Sequence, residues 1–468
     1  MRSVGWGTTL VAAFAATVAS VPVAADTLPG ALVQAYQNNP QINSQRAAVR
    51  AIDENVPQAL SGYRPNVSAT ASLTENYVDT LTKATTATGD PIYSRQSGNT
   101  AVQTYGATLT QTLYNGFQTA NRTRQAESQV SAARENLRLT EQAVLLQAVT
   151  AYMNLLRDGA ILDLQRRNVE VLQEQLRQTR DRFNVGEVTR TDVAQSESRI
   201  AAGRSALLNA ESNYTTSRAF YRQIIGVEPG RLAPGTPVDR FSPRTLPGAV
   251  AEGRARNPAV TTSMYNVDVA LLQVKVAEGA LYPTLSLVGS AQKQYGSAGS
   301  LNLLESFQAS IGGQLSVPIY SGGDEYAVIR QAKETLTQRR IDLDTQRDQV
   351  QQNIVQSWGQ LEAAKAQIQA TQAQVQAAEI ALNGVREEAR VGQRTTLDVL
   401  NAQQELVNAR VALVTAQRDR VVASYALLSS VGRLSPQVLG LSVPIYDPMV
   451  HYQQVRDSWF GVRTPDGK

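Results

Sequence analysis

Val185-Gly186-Glu187-Val188-Thr189-Arg190-Thr191-Asp192-Val193 is written a second time, with changes, as Val391-Gly392-Gln393-Arg394-Thr395-Thr396-Leu397-Asp398-Val399. Sliding the chain so that Asp398 falls on Asp192 also lays Tyr320-Ser321-Gly322 on Tyr114-Asn115-Gly116, and Gly432 on Gly226. Further upstream, Thr245-Leu246-Pro247-Gly248-Ala249 repeats Thr27-Leu28-Pro29-Gly30-Ala31, and Asn257-Pro258 repeats Asn39-Pro40. A period of roughly 200 residues is far longer than that of a solenoid, so this is one large unit duplicated. Two similar elements standing side by side around an axis are the expected result.

The repeated phrase ends one long helix-forming stretch and opens another. No proline occurs between Pro91 and Pro229 or between Pro318 and Pro436, and Phe117 to Val185 holds a single glycine, Gly159. The bulk residues are Ala, Gln, Leu, Arg and Glu, all strong helix formers. Leu155, Leu162, Val169, Leu176 and Phe183 fall seven apart, as do Ile354, Leu361, Ile368, Val375, Leu382 and Ala389. Beyond the phrase, Val193, Ile200, Leu207, Tyr214 and Tyr221 keep the period, and so do Leu400, Val407, Val414, Val421 and Leu428. A seven-residue seam means left-handed coiled-coil packing. The spacing predicts helices over about 116–185, 190–226, 322–391 and 396–431, paired as two antiparallel hairpins with the phrase at each tip. Gly186 and Gly392 can take the left-handed conformation that ends a helix. Thr189-x-x-Asp192 and Thr395-x-x-Asp398 read as capping boxes that open the next one.

Ahead of each long helix the period drops to two. Val67, Ala69, Ala71 and Leu73 alternate with Ser68, Thr70, Ser72 and Thr74; Tyr105, Ala107 and Leu109 alternate with Thr104, Thr108 and Thr110. Leu285, Leu287 and Ala291 do so with Ser286, Ser290 and Gln292, and Phe307, Ala309, Ile311, Leu315 and Val317 with Gln308, Ser310, Gln314 and Ser316. Strands are predicted at about 66–77, 100–113, 284–295 and 306–319, joined by polar loops at Val78–Asn99 and Gly296–Glu305. About ten alternating residues suffice to cross a bilayer as a tilted strand. Tyr77, Tyr93, Tyr105, Tyr114, Tyr295, Phe307 and Tyr320 gather near the strand ends, where interfacial aromatics sit. Four strands cannot close a barrel, and an open edge is forbidden in hydrocarbon. Copies must therefore associate, and a closed ring is the usual solution; two, three or four copies remain open.

Composition removes most chemistry. The 468-residue chain has no cysteine and one histidine, His451, so thiol nucleophiles, Cys/His zinc sites and redox pairs are impossible. His451 stands in a poorly patterned segment and reads as a solvated tail residue. No acidic pair is isolated in an apolar setting, so catalysis, metal and cofactor are not expected. Net charge is only +4 and the basic residues are dispersed, which argues against nucleic acid. Arg2, the apolar run Leu10 to Val18 and the small residues Val23-Ala24-Ala25 read as an export signal over 1–25. No later run is long and apolar enough for a spanning helix, and no cysteine follows the signal to carry a lipid. The division is then a signal at 1–25, a first repeat at 26–228, a proline-rich crossover at 229–247, a second repeat at 248–434 and a tail or wrapping segment at 435–468.

Export signal, duplicated strand pairs with long hairpins, and the V-G-x-x-T-x-x-D-V phrase together resemble the outer-membrane efflux protein family, in its TolC-like, non-lipidated branch. The resemblance runs from about Thr27 to Leu434. It implies a homotrimer embedded in outer-membrane lipid, with a twelve-stranded β-barrel continued by a twelve-helix barrel across the periplasm. It further implies a periplasmic adaptor and an inner-membrane ABC or RND-type pump as partners, for drug efflux or type I secretion. In the family the tips form a closed entrance that opens by an iris-like movement. The similar positions here are Thr191 and Asp192 in the first tip and Arg394 in the second, as a latch. Asp398 matches one member of the family's acidic constriction ring; Asn401 stands where a second aspartate often lies, and Ala389 where the family has a latch tyrosine. The rival readings are a periplasmic coiled-coil adaptor or structural protein and, more remotely, an exported enzyme with carboxylate catalysis.

Overall fold

The structure is a computed structural model and describes residues 26–296, 304–465 and 467. The expected export signal and the middle of the Gly296–Glu305 loop lie outside the described residues. The helices are α1 (Leu28–Asn38), α2 (Pro40–Asp53), α3 (Asn55–Leu60), α4 (Gln118–Asn184), α5 (Arg190–Ile225), α6 (Leu246–Arg256), α7 (Pro258–Gly279), α8 (Asp324–Arg390), α9 (Thr396–Ser430), α10 (Pro436–Leu439) and α11 (Pro448–Val455). The strands are β1 (Asn66–Thr85), β2 (Pro91–Asn115), β3 (Thr284–Tyr295) and β4 (Glu305–Ser316).

Helices α4 and α8 run 67 residues each, about 100 Å at 1.5 Å per residue. They reach from the sheet to the repeated turns, and α5 and α9 come back half as far. Leu155, Leu162 and Val169 are buried in the first seam, while Leu176 is half-buried and Phe183 is 42% exposed. In the second, Ile354, Leu361 and Leu382 are buried, and Ile368, Val375 and Ala389 half-buried. The first seam thins toward its tip, whereas the second stays buried as far as Leu382.

Two repeated sequence signatures turn out to open short helices. Thr27 and Thr245 cap α1 and α6, accepting from the backbone N–H of Gly30 and Gly248 at 3.3 Å. Asn39 and Asn257 cap α2 and α7, with a proline at the first helical position of each. Their side-chain amides donate across to the Ile224 carbonyl at the end of α5 (2.9 Å) and the Ser430 carbonyl at the end of α9 (2.8 Å). Each Asn-Pro thus starts one helix and satisfies the end of another. Periodicity read over long windows passed over these 11- to 22-residue helices. Helix α2 lies along α4, and α4 packs on α7 and α7 on α8, so the upper part is four helices side by side. Gly116 allows α7 to approach the start of α4: a Cβ there would lie 2.3 Å from the Gly279 carbonyl oxygen.

The largest core forms where α1, the middle of α4 and the ends of α5 and α9 meet, around Leu32, Tyr36, Leu145, Tyr152, Ile225 and Leu428. The Tyr152 hydroxyl donates toward the carbonyls of Asp26 (2.7 Å) and Ala233 (2.6 Å), pinning the start of the described chain and the crossover to α4.

The sheet is antiparallel throughout in the order β1-β2-β3-β4. Its first hairpin corrects the expected loop at Val78–Asn99, which is mostly paired strand: pairing continues to Thr85↔Pro91, and Thr86–Asp90 alone makes the turn. This extension puts Asp79, Lys83 and Arg95 where apolar residues would have to alternate, with Arg95 donating to Asp79 at 2.8 Å, so it carries no apolar alternation to read. β4 stops at Ser316, because Pro318 has no N–H for the ladder.

Within the C-terminal segment, the reading of His451 as solvated needs correction. After Pro436 the chain folds into α10 and α11, and α11 packs on α2. His451 is buried, not solvated, and its Nδ1 lies 3.0 Å from a carboxylate oxygen of Asp53, itself fully buried. Burial pushes the Asp53 carboxyl above its ordinary range, against the opposing pull of His451 and Arg134. An eight-residue helix whose partner is 398 positions away leaves no local signature.

Candidate functional site

Two regions of the chain are built alike in both repeats and are left largely uncovered by the other described residues: the helical tips and the two faces of the sheet. At the tips, the capping boxes form in full. Thr189 Oγ1 accepts from the Asp192 N–H (3.4 Å), and Asp192 Oδ2 accepts from the Thr189 N–H (2.9 Å) and hydroxyl (2.7 Å). Thr395 and Asp398 repeat this at 3.2, 3.0 and 2.9 Å. Gly186 (φ 80°) and Gly392 (φ 79°) supply the left-handed residue before each cap. The Thr189 hydroxyl, then its N–H, holds the Asp192 carboxyl below the usual aspartate range; the Thr395 N–H, then its hydroxyl, does the same for Asp398.

Arg394 and Asp192 are not brought together within the chain. Arg394 Nε donates to Glu388 Oε2 at 2.8 Å inside its own tip, as Arg182 does to Glu187 at 3.0 Å in the other. The two tips carry the same brace with the charges exchanged. Thr191 and Arg394 stand exposed and Asp192 half-exposed. Toward the tips the hairpins are joined by a side-chain bond from Arg199 Nη2 to Asn401 Oδ1, 2.6 Å, beside a small apolar cluster of Leu172, Ile200 and Leu400, as they are farther from the tips by Arg418 Nε to Asn154 Oδ1 at 2.8 Å. Sequence reasoning named Asn401 but missed Arg199. The available signal was that Ile200 and Leu400 both lie in heptad seams, with Arg199 and Asn401 as their immediate neighbours.

The sheet register sorts side chains into two faces. One carries the rows Val67–Leu109–Gly289–Ile311, Ala69–Ala107–Ala291–Ala309 and Tyr114–Leu285–Leu315. The other carries Ser68–Thr108–Ser290–Ser310 and Ser72–Thr104–Gln294–Ser306, with the Ser290 and Ser310 hydroxyls 2.9 Å apart. On the apolar face Leu73 is 72% and Ile311 77% exposed. A continuous apolar surface rarely faces water in a soluble monomer. β1 and β4 each present an unpaired edge. Among the described residues no helix is long and apolar enough to cross a membrane, and no group of His, Asp and Glu could hold a metal ion.

Residues 31–227 and 250–433, one span per repeat, match the family model described as outer membrane efflux protein. The outer membrane efflux protein BepC of Brucella suis is 44% identical over 443 residues, 95% of this chain and 93% of that protein. Outer membrane protein TolC of Vibrio cholerae is 27% identical over 432 residues, 89% of this chain and 93% of the relative. The CmeC outer membrane channel of Campylobacter jejuni shares the fold, with a TM-score of 0.75 at 16% identity over 92% of this chain and 89% of that one. These likenesses set aside the adaptor and enzyme readings. The chain belongs to the outer membrane efflux protein family, non-enzymatic channels of the outer membrane that reach into the periplasm.

Proposed function

We propose that three copies of this chain close into one export duct, a twelve-stranded barrel through the outer membrane continued by a twelve-helix barrel across the periplasm. The observation that carries this is the sheet: apolar on one face, hydroxyl- and amide-lined on the other, and open at both edges. Pairing β4 of one copy with β1 of the next removes every edge and turns the apolar face to lipid, as hydrocarbon demands. The duct serves as the exit of a tripartite pump, docking a periplasmic adaptor and an inner-membrane ABC or RND-type pump, and carries drugs or secreted proteins.

The tips act as an iris. Within each hairpin the seam is long, whereas the hairpins meet near the tips through three apolar side chains and the Arg199–Asn401 bond. One hairpin can therefore swing against the other without breaking its own packing. Between copies, Arg394 meets the Asp192 and Thr191 positions, and the Asp398 side chains form an acidic ring that favours cations.

The absence of cysteine makes a clean test possible. Thr70→Cys and Gln308→Cys, on β1 and β4, are introduced together and treated with a flexible bis-maleimide. The expected ladder stops at three copies, and the purified protein conducts ions in planar bilayers. A ladder ending at two, or running past three, refutes the stoichiometry; a non-conducting water-soluble monomer refutes the duct.

A further inference from the structure

The C-terminal segment returns to the place where the sheet begins. Helix α11 is clasped to α2 by the His451–Asp53 contact, and Val455 at its end is 4% exposed. The chain then reaches Arg64, two residues before β1. Arg64 Nη1 donates to the Ser458 carbonyl at 2.7 Å, and its guanidinium lies 4.5 Å from the centre of the Trp459 ring. Beyond this anchor, Trp459 is 60% exposed, Phe460 91% and Val462 fully so.

All four strands are rooted at this same end of the sheet, and each root exposes an aromatic: Tyr63, Phe117, Tyr282 and Tyr320. Phe117 is the one non-glycine residue with positive φ (62°) among the described residues, at the position where the second repeat has Gly323. Such a conformation is strained for a residue with a Cβ, so the ring is kept there in spite of the backbone. Together these rings mark the helix-side boundary of the apolar band, and Trp459 joins them from the other end of the chain.

We propose that Trp459, Phe460 and Val462 form a lipid-seating toe that inserts at the headgroup level of the inner, phospholipid leaflet of the outer membrane. This rests on the reading that the sheet spans that membrane. Amphipathic aromatics are favoured at such an interface, and Arg64 sets the depth of the indole by holding both its ring and the preceding carbonyl.

Three tryptophans occur in the chain, Trp6, Trp358 and Trp459. Trp6→Phe with Trp358→Phe leaves Trp459 as the sole emitter in phosphatidylglycerol/phosphatidylethanolamine vesicles. Lipids brominated near the headgroup are expected to quench it at least twofold more than lipids brominated near the chain end, with iodide nearly without effect. A Trp6→Phe with Trp459→Phe variant, which keeps Trp358 as the sole emitter, should show none of that lipid quenching. Iodide quenching without bromolipid quenching places the toe in water and overturns the proposal. Silence toward both quenchers places it against protein and overturns it equally. Flotation with the vesicles, and a Leu73→Trp reporter in a background lacking the other tryptophans, report insertion of the sheet separately. Insertion with an unquenched Trp459 therefore sinks the toe alone.

Discussion

Arginine in place of Ala107 tests the wall most directly, because Thr108 beside it supplies the control on the opposite face. Ala107 lies in the row Ala69–Ala107–Ala291–Ala309. Along β4, Ala309 of this row is four residues from Glu305 and six from Leu315, the two ends of the apolar face. At about 3.4 Å per residue and a 45° tilt, these steps are roughly 10 Å and 14 Å of height. The row therefore sits near the middle of a band about 25 Å tall. A lipid-facing arginine at that depth costs about 2–4 kcal/mol, and 3 kcal/mol is roughly a hundredfold in an insertion equilibrium. Thr108→Arg faces the polar side and carries no such penalty. Both variants are folded into vesicles and titrated with urea, with gel mobility as the readout. Loss of stability by Ala107→Arg alone is the expected outcome. Equal behaviour of the two variants refutes a lipid-facing side, and failure of Thr108→Arg alone means that the faces have been assigned the wrong way round.

Three further expectations concern the tips. Asp398→Ala should weaken block by multivalent cations entering from that side; in the unmutated channel the block should persist below the usual aspartate range, because the Thr395 N–H and hydroxyl depress that pKa. Conductance against pH checks this, and Thr395→Ala should move the titration upward. Arg199→Ala, and separately Asp192→Ala with Arg394→Ala, should raise single-channel conductance by loosening the closed iris; unchanged conductance in the first removes the inter-hairpin bond from the gate, and in the second the contact between copies. Thr189→Ala should destabilise the first tip by about 1 kcal/mol, read as faster hydrogen exchange over 186–195. With the Asp192 pKa depressed on folding, the contribution of its carboxylate is present above the unfolded pKa and lost as pH falls through the folded one, so the gap between wild type and variant should narrow in acid and keep the part due to the Thr189 hydroxyl oxygen accepting from the Asp192 N–H.

The long hairpins were legible because a coiled coil repeats one local rule many times. Leu155 and Ile354 announce their seams through neighbours seven residues away. The tips were legible for the same reason, since a capping box is closed within four residues. What escaped was set by distant partners. Arg199 finds Asn401 across 202 positions, and Asp53 finds His451 across 398. Arg394 was read toward Asp192, yet inside the protomer Glu388, six residues back, is the nearer partner. The extended first hairpin escaped because Asp79, Lys83 and Arg95 interrupt the apolar alternation there.

Duplication, the change of period from two to seven, and the lack of cysteine were enough to establish strands, long helices and the absence of thiol chemistry, because each follows from local conformational preference or simple inventory. Which residues share a face of the sheet depended on the register between strands nearly 200 positions apart. The seating of the tail beside β1 depended on Arg64 meeting Trp459. Contacts of that kind are chosen by shape and charge in three dimensions, and no local pattern encodes them.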